Sequence, residues 1–439
     1  MNSPALPYSK REQRGWYMYD WANSTFASTV VTLFLGPYLT ALAKAAAGAD
    51  GRVHPLGIPV DPRSWWGYLI SISVVTQIFT LPIAGTIADF SPNKKRLMAL
   101  FAYAGALATA AMFFLKGGDY LAGGALFLIA NLAFGASIVV YNSFLPDIAP
   151  PEQRDAVSST GWGIGYLGGG LLLALNLALF AKAKALGLSE SMAVRINLAS
   201  AGVWWAIFSS IPLAAIRNRP PGRKRGPGEG LMKTFRGFAV TLRDMRHYPQ
   251  TLRFLVAYLL YNDAVQTVIT LSAQFGNDEL KMPMADLTEV ILMVQFVAFF
   301  GSFLFDWIAN WIGAKPAVIV SLLIWTGVLV SMYVSVRNEM QFFIVAAIVA
   351  IVLGGTQALS RSLFSLMIPK GREAEYFGLY EISDKGTSWL CPLLFGLALQ
   401  FTGSYRLAIL SLITFFAAGL LVLLTVNVRH AAAEATRQA

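Results

Sequence analysis

The sequence predicts an all-α membrane protein of twelve transmembrane helices, arranged as two pseudo-symmetric six-helix halves. Three observations predict it. Of the 439 residues, 56% are hydrophobic and 13% charged, about half the ~25% charge of soluble domains. Apolar runs of roughly 20 residues, enough to cross a bilayer as a helix, recur from end to end. A polar pattern also recurs. Asp20 is followed by Asn23 and Ser24, and Asp263 by Gln266 and Thr267. Offsets of three and four place each set on one helical face.

The spans fall near 16–43, 65–90, 97–115, 120–146, 158–182, 194–216, 251–275, 286–309, 315–336, 341–368, 376–402 and 405–428. Helices are required because hydrocarbon leaves backbone polar groups no other partner. Lys10, Arg11 and Arg14 precede the first run, as in a signal peptide. That run is too long for a signal core and carries Asp20, so it is expected to be a retained span.

An even number of spans puts both termini on one side. Of 34 Lys and Arg residues, 22 fall in loops on the terminal side, 10 opposite, and two, Arg361 and Lys385, within spans. The positive-inside rule makes the terminal side cytoplasmic, as in a prokaryotic inner membrane protein. Ten of the 22 lie in residues 217–253, so the tight turn at residues 93–96 and the Arg217–Arg225 cluster carry that assignment. The net charge of +10 lies beside membrane spans, so anionic lipid headgroups rather than nucleic acid are the expected partner. Cys391 is the single cysteine, and His54, His247 and His430 all fall in loops. This argues against disulfides and against a His/Cys metal cage in the bundle. No cofactor is expected.

Residues 217–250 separate six spans (1–216) from six (251–439). The segment opens with a Pro/Gly-rich basic stretch. Leu231, Phe235, Phe238, Leu242 and Met245 then recur at helical spacing, with Lys233, Arg236, Arg243 and Arg246 elsewhere. That pattern predicts an interfacial amphipathic helix on anionic lipid. Two further echoes cross the linker. Residues 87–94 (IADFSPNK) resemble 308–315 (IANWIGAK) at the end of the second span of each half. Residues 150–154 (PPEQR) resemble 369–372 (PKGR) between the fourth and fifth. Three echoes in one order imply two parallel repeats. Trp65, Trp66, Trp204, Trp205, Trp307 and Trp311 lie at predicted span ends, as interfacial aromatics do.

Charges inside spans are costly and mark function or mutual pairing. Arg361 in the tenth span and Glu381, Asp384 and Lys385 in the eleventh sum to zero. Arg361 and Asp384 lie at similar depth, about 12 Å from their shared turn at 1.5 Å per residue. Glu381 and Lys385 form an i,i+4 pair in the favoured order. One reading is an ion-pair network that locks two neighbouring helices. The other is a gate or substrate clamp in which Arg361 holds a carboxylate. Asp263 lies roughly 15 Å beyond Arg253, near the midplane, and could carry a proton; Asp20, about 9 Å beyond Arg14, could reach the interface. On this reading Arg361, in the same half, is the partner that would make Asp263 a substrate site. Asn142, Gln357, Gln77, Asn131, Asn176, Gln295 and Gln400 are further polar residues in spans, each alone more often helix–helix glue than a ligand contact.

Residues 163–168 match G-x-G-x-x-G but lie in an apolar helix with no preceding strand, which excludes dinucleotide binding. Gly161, Gly165 and Gly169 are spaced for close helix packing instead. No P-loop occurs, which excludes ATP hydrolysis of that type. An enzyme would need a nucleophile–base pair or metal ligands at a membrane face, and none is found. A sensor would need an extra soluble domain, for which the spans leave no room.

Residues 85–95 (GTIADFSPNKK) resemble the major facilitator signature G-x-x-x-D-R-x-G-R/K-R/K between spans two and three. Gly85, Asp89 and Lys94 match, whereas Phe90, Pro92 and Asn93 depart from it. Residues 19–24 (YDWANS), 261–266 (YNDAVQ), 354–362 (GGTQALSRS) and 376–380 (YFGLY) are similar to the vacuolar-effluxer-like, autophagy-related family of major facilitators, over nearly the whole chain. The resemblance implies secondary transport of small polar solutes, amino-acid efflux in particular, with proton-coupled drug or metabolite export as the alternative. It further implies a cytoplasmic gate at Asp89 and Lys94. The central cavity it implies is lined by spans 1, 4, 7 and 10, and so by Asp20, Asn142, Asp263 and Arg361.

Overall fold

The computed structural model describes residues 8–220, 245–385 and 390–437. The first half comprises helices Lys10–Ala45, Trp65–Asp89, Lys94–Ala111, Tyr120–Asn142, Arg154–Ala181 and Glu190–Ala215. The second comprises Pro249–Asp278, Met284–Ile312, Ala314–Val334, Glu339–Leu366, the pair Glu373–Lys385 and Leu390–Thr402, and Tyr405–Leu424. They are numbered here as spans 1 to 12. Span 11, expected as one helix, is described as two, with residues 386–389 outside the described set. Most of the amphipathic helix expected in the linker, residues 221–244, also lies outside the described residues.

Each half has its own apolar core, one around Phe26, Phe127 and Trp205, the other around Trp325, Tyr261 and Phe416. The terminal tryptophans therefore divide. Trp307 and Trp311 are exposed at a span end as expected, but Trp205 is fully buried, packed on Phe26 and Phe134. Span 6 turns Trp205 inward, toward a site opened by Gly105, where a Cβ would land on the indole ring.

The two halves share a similar contact, one position off the sequence echo, which paired Lys94 with Lys315. Lys95, after span 2, donates from Nζ to the Ile216 carbonyl at the end of span 6 (3.2 Å). Lys315, after span 8, donates to the Leu424 and Val426 carbonyls at the end of span 12 (3.0 and 2.7 Å). In both halves a lysine thus neutralises the carbonyl end of a helix.

Span 1 widens to π-helical geometry over Phe26–Phe34, where the Thr32 hydroxyl donates to the Ala27 carbonyl at 2.9 Å. The β-branched run Thr29, Val30, Val31 and Thr32 is crowded in a regular helix. Such wide turns occur frequently beside functional sites. The helix begins at Lys10, six residues before the predicted start. Buried Glu12 there accepts from Arg217 (2.6 Å) and Arg219 (3.0 Å) at the end of span 6. Glu12→Gln is expected to remove about 1.5–3 kcal/mol, the worth of hydrogen bonds to a charged group, read as a lower thermal unfolding midpoint of the purified protein.

Candidate functional site

On the face carrying both termini the two halves are tied together. Asp89, at the end of span 2, accepts from the backbone N–H groups of Ala374 (2.9 Å) and Glu375 (2.8 Å), the first turn of span 11. A carboxylate there satisfies two helix-end donors and meets the positive end of the helix dipole. Lys94 Nζ lies 3.4 Å from the same carboxylate. Small residues permit the approach: a Cβ on Gly378 would stand 2.9 Å from the Pro82 backbone, and one on Gly85 would land on the Ala374 carbonyl. Asp89 and Lys94 thus stand together as expected, despite the departures at Phe90, Pro92 and Asn93.

Deeper in, spans 5 and 10 join. Arg154 donates to the Ser365 carbonyl (2.7 Å), Ser362 to Asp155, and Ser158 to the Ala358 carbonyl (2.7 Å). Tyr166 donates to Gln357 at 2.7 Å. From Arg154 to Tyr166 is twelve residues, about 18 Å along the helix, so these ties run through more than half of a ~30 Å hydrocarbon layer.

At the centre lies Arg361, 2% exposed. Its Nη1 donates to Asp20 Oδ2 at 3.2 Å and to Asn142 Oδ1 at 3.4 Å. Its Nε and Nη2 donate to the hydroxyl and carbonyl of Ser158 at 2.9 and 2.8 Å. Tyr141 donates to the same oxygen of Asp20 at 2.7 Å. Asn142 passes the network on, donating from Nδ2 to Glu381 at 3.1 Å. Gly161, Gly165 and Gly169 bring span 5 against span 1, as their spacing predicted. A Cβ on Gly161 would stand 2.6 Å from Asp20 Oδ2, and one on Gly165 2.8 Å from Ser24 Oγ.

This corrects three expectations. Asp20 does not reach the interface but is buried at 9% exposure. Arg14, taken as the interface marker, lies one turn inside a helix that begins at Lys10. Arg361 pairs with Asp20 in the other half, not with Asp263. Among the described residues, the ion pair of Arg361 is with Asp20 of span 1 rather than with Glu381 or Asp384 of span 11. Asp384 turns to span 7, accepting from Tyr258 (2.9 Å) and Asn262 (2.7 Å), and Glu381 accepts from Asn142, which itself accepts from Arg361. The Lys385 side chain lies outside the described residues. Depth was misjudged where the helix start was misjudged, and the azimuth that decides which neighbour a side chain meets was not legible at all.

Asp263 stands apart. It is 1% exposed; Oδ2 accepts from the Cys391 N–H at 3.0 Å, capping helix Leu390–Thr402, and Oδ1 has no partner among the described residues. Thr267 donates back to the Asp263 carbonyl (2.7 Å), and Gln266 is half-buried beside it. Asn23, one turn from Asp20, is buried with Nδ2 unpartnered among the described residues. Sequence reading missed Ser158, Tyr141, Trp16 and Trp162, all around Arg361. A sequence signal existed for two of them: Trp16 lies one turn before Asp20, and Trp162 lies within the glycine stripe.

The family model described as vacuole effluxer Atg22-like matches residues 8–436. The chain belongs to the Atg22-like family of vacuole effluxers. This Atg22-like protein is 31% identical to the MFS-type transporter YxiO of Bacillus subtilis, over 94% of each chain. It is 27% identical to autophagy-related protein 22 of Coccidioides immitis, over 91% of this chain and 84% of that one. Among solved structures, the Escherichia coli fucose:proton symporter FucP shares the fold at a TM-score of 0.67 and 12% identity, covering 95% of this chain and 98% of that one. The proton:xylose symporter XylE gives 0.68 at 10% identity, covering 94% of each. The Atg22-like chain is thus an integral membrane transporter of the major facilitator type, with twelve helices and no enzymatic relatives among these. Family and site meet in Arg361, which lies within one of the motifs that carry the resemblance.

Proposed function

We propose that the protein exports small polar solutes, amino acids foremost, by alternating access between its two six-helix halves. The observation that carries this reading is the buried Asp20–Arg361 ion pair between the halves. Intramembrane charges are tolerated where they pair or face a pathway, and this pair breaks whenever the halves separate on the terminal face. An amino acid offers both replacement charges, a carboxylate for Arg361 and an ammonium for Asp20. The basic loops support a cytoplasmic terminal face, so the structure corresponds to a state closed to the cytoplasm. The description of the family as effluxers supports the outward direction.

The test is transport by purified protein in liposomes against a pooled metabolite mixture. Movement of amino acids is expected, and failure to move any solute would refute the transport mechanism proposed here.

Proton coupling through Asp263 is favoured by one observation: a buried carboxylate with an oxygen unpartnered among the described residues. Such a group can exchange a proton as its surroundings change. Asp263→Asn is expected to abolish acceleration by a pH gradient while leaving solute exchange at equal pH. Full gradient dependence in the variant would rule Asp263 out.

A further inference from the structure

The first half builds a cage around the Arg361 guanidinium. The guanidinium carbon lies 4.7 Å from the Trp16 ring centre, 5.3 Å from Trp162 and 5.8 Å from Tyr141. Asp20 supplies the counter-charge at 3.2 Å. The cage is organised without help from Arg361. Trp16 and Tyr141 stack at 4.3 Å, and Trp16 Nε1 donates to the Tyr141 carbonyl at 3.0 Å. Tyr141 fixes Asp20, and Gly161 leaves the space, since a Cβ there would stand 3.1 Å from Arg361 Nη2. Every wall belongs to the first half, and the cation belongs to the second. When the halves part, Arg361 leaves with span 10, and a buried carboxylate with three aromatic faces stays behind. Aromatic faces with a carboxylate attract organic cations.

We propose that Asp20, Trp16, Tyr141 and Trp162 form a recognition site for an organic cation, an ammonium or guanidinium group, and that Arg361 fills it in the state closed on the terminal face. The proposal rests on the transport reading above and narrows its substrate class. Solutes must carry a free amine or guanidine, and N-acylated amino acids and simple carboxylic acids are excluded. Solute cation and Arg361 compete for one site, so the solute that takes the cage releases Arg361 toward an anionic group. Trp162 Nε1, buried without an acceptor among the described residues, offers the bound solute a further donor.

The experiment vacates the cage. Full-length Arg361→Ala, purified in detergent, is melted with methylguanidinium, methylammonium or neutral methylurea. A saturable rise in midpoint is expected with the two cations, at concentrations about tenfold or more below any effect of methylurea. The rise should be absent in the wild type, whose cage is full, and lost in the Arg361→Ala, Trp162→Leu double variant. Equal effects of methylurea, or equal effects on the wild type, would overturn the cage. If Arg361→Ala does not assemble, wild-type transport in liposomes, in which the halves part in every cycle and empty the cage, is competed with pooled amino acids and with the same pool N-acetylated. The free pool should act at about a tenfold lower concentration, and equal or absent effects count against the proposal. Transport without cation selectivity would refute the cage and leave the transporter reading intact. Cation selectivity without transport would do the reverse.

Discussion

Arg361→Gln and Asp20→Asn are each expected to lower transport by roughly two orders of magnitude, the factor that about 2.7 kcal/mol represents, and to destabilise the protein. Each substitution strands a charge at a site 2% or 9% exposed, and breaking one side of a buried pair typically costs about 3–5 kcal/mol. The double variant, Asp20→Asn with Arg361→Gln, removes both charges together and is expected to recover most of the stability. Its transport should stay lost, because neither solute charge then finds a partner. Unfolding midpoints and liposome transport of all three variants form a double-mutant cycle. A double variant that regains transport along with stability would make the pair a structural lock and nothing more. Arg361→Lys should transport poorly as well: an ammonium cannot reach Asp20, Asn142 and both Ser158 oxygens with one planar fork.

Gly85→Ala is expected to shift the protein away from its closed state. The added methyl falls on the Ala374 carbonyl, a backbone atom that cannot rotate aside. Span 2 must then retreat from span 11, which pulls Asp89 from the Ala374 and Glu375 N–H groups it caps. The closed state loses these contacts and the open state does not, so the equilibrium moves by the difference. Spin labels at Glu152→Cys and Lys370→Cys, both exposed on the terminal face, report the separation, and native Cys391 is buried and silent. A longer label distance in Gly85→Ala than in the parent is expected; an unchanged distribution would mean that another contact sets the closed state. Transport should fall in parallel, since alternating access needs both states.

Asp89 and Lys94 were legible because their work is local: a turn, a helix end and a nearby lysine. The glycines of span 5 were legible for a similar reason, since spacing by four residues is itself a packing surface. The twelve spans and the duplication followed from apolar length and repeated motifs. Arg361 was found as a charge that hydrocarbon would not tolerate alone, but its partner was misread. Asp20 is 341 residues away, and depth counted along span 1 depended on where the helix entered the membrane. Trp16, Tyr141, Trp162 and Ser158 were passed over for another reason: an aromatic or serine in a span is ordinarily packing, and only its neighbours make it a site.

By itself the sequence determined that this chain crosses the membrane as two related sets of helices, that it carries charges inside them, and that it belongs among transporters. Hydropathy, spacing and motif are properties of a line, and those conclusions need only a line. The tertiary structure alone decided that Asp20 and Arg361 face each other across the two halves, that Asp384 turns to span 7, and that Asp263 accepts from the Cys391 N–H away from that pair. Pairing depends on how each helix is rotated about its axis. That rotation is set by the summed packing of small residues such as Gly85, Gly161 and Gly378 against neighbours remote in the chain.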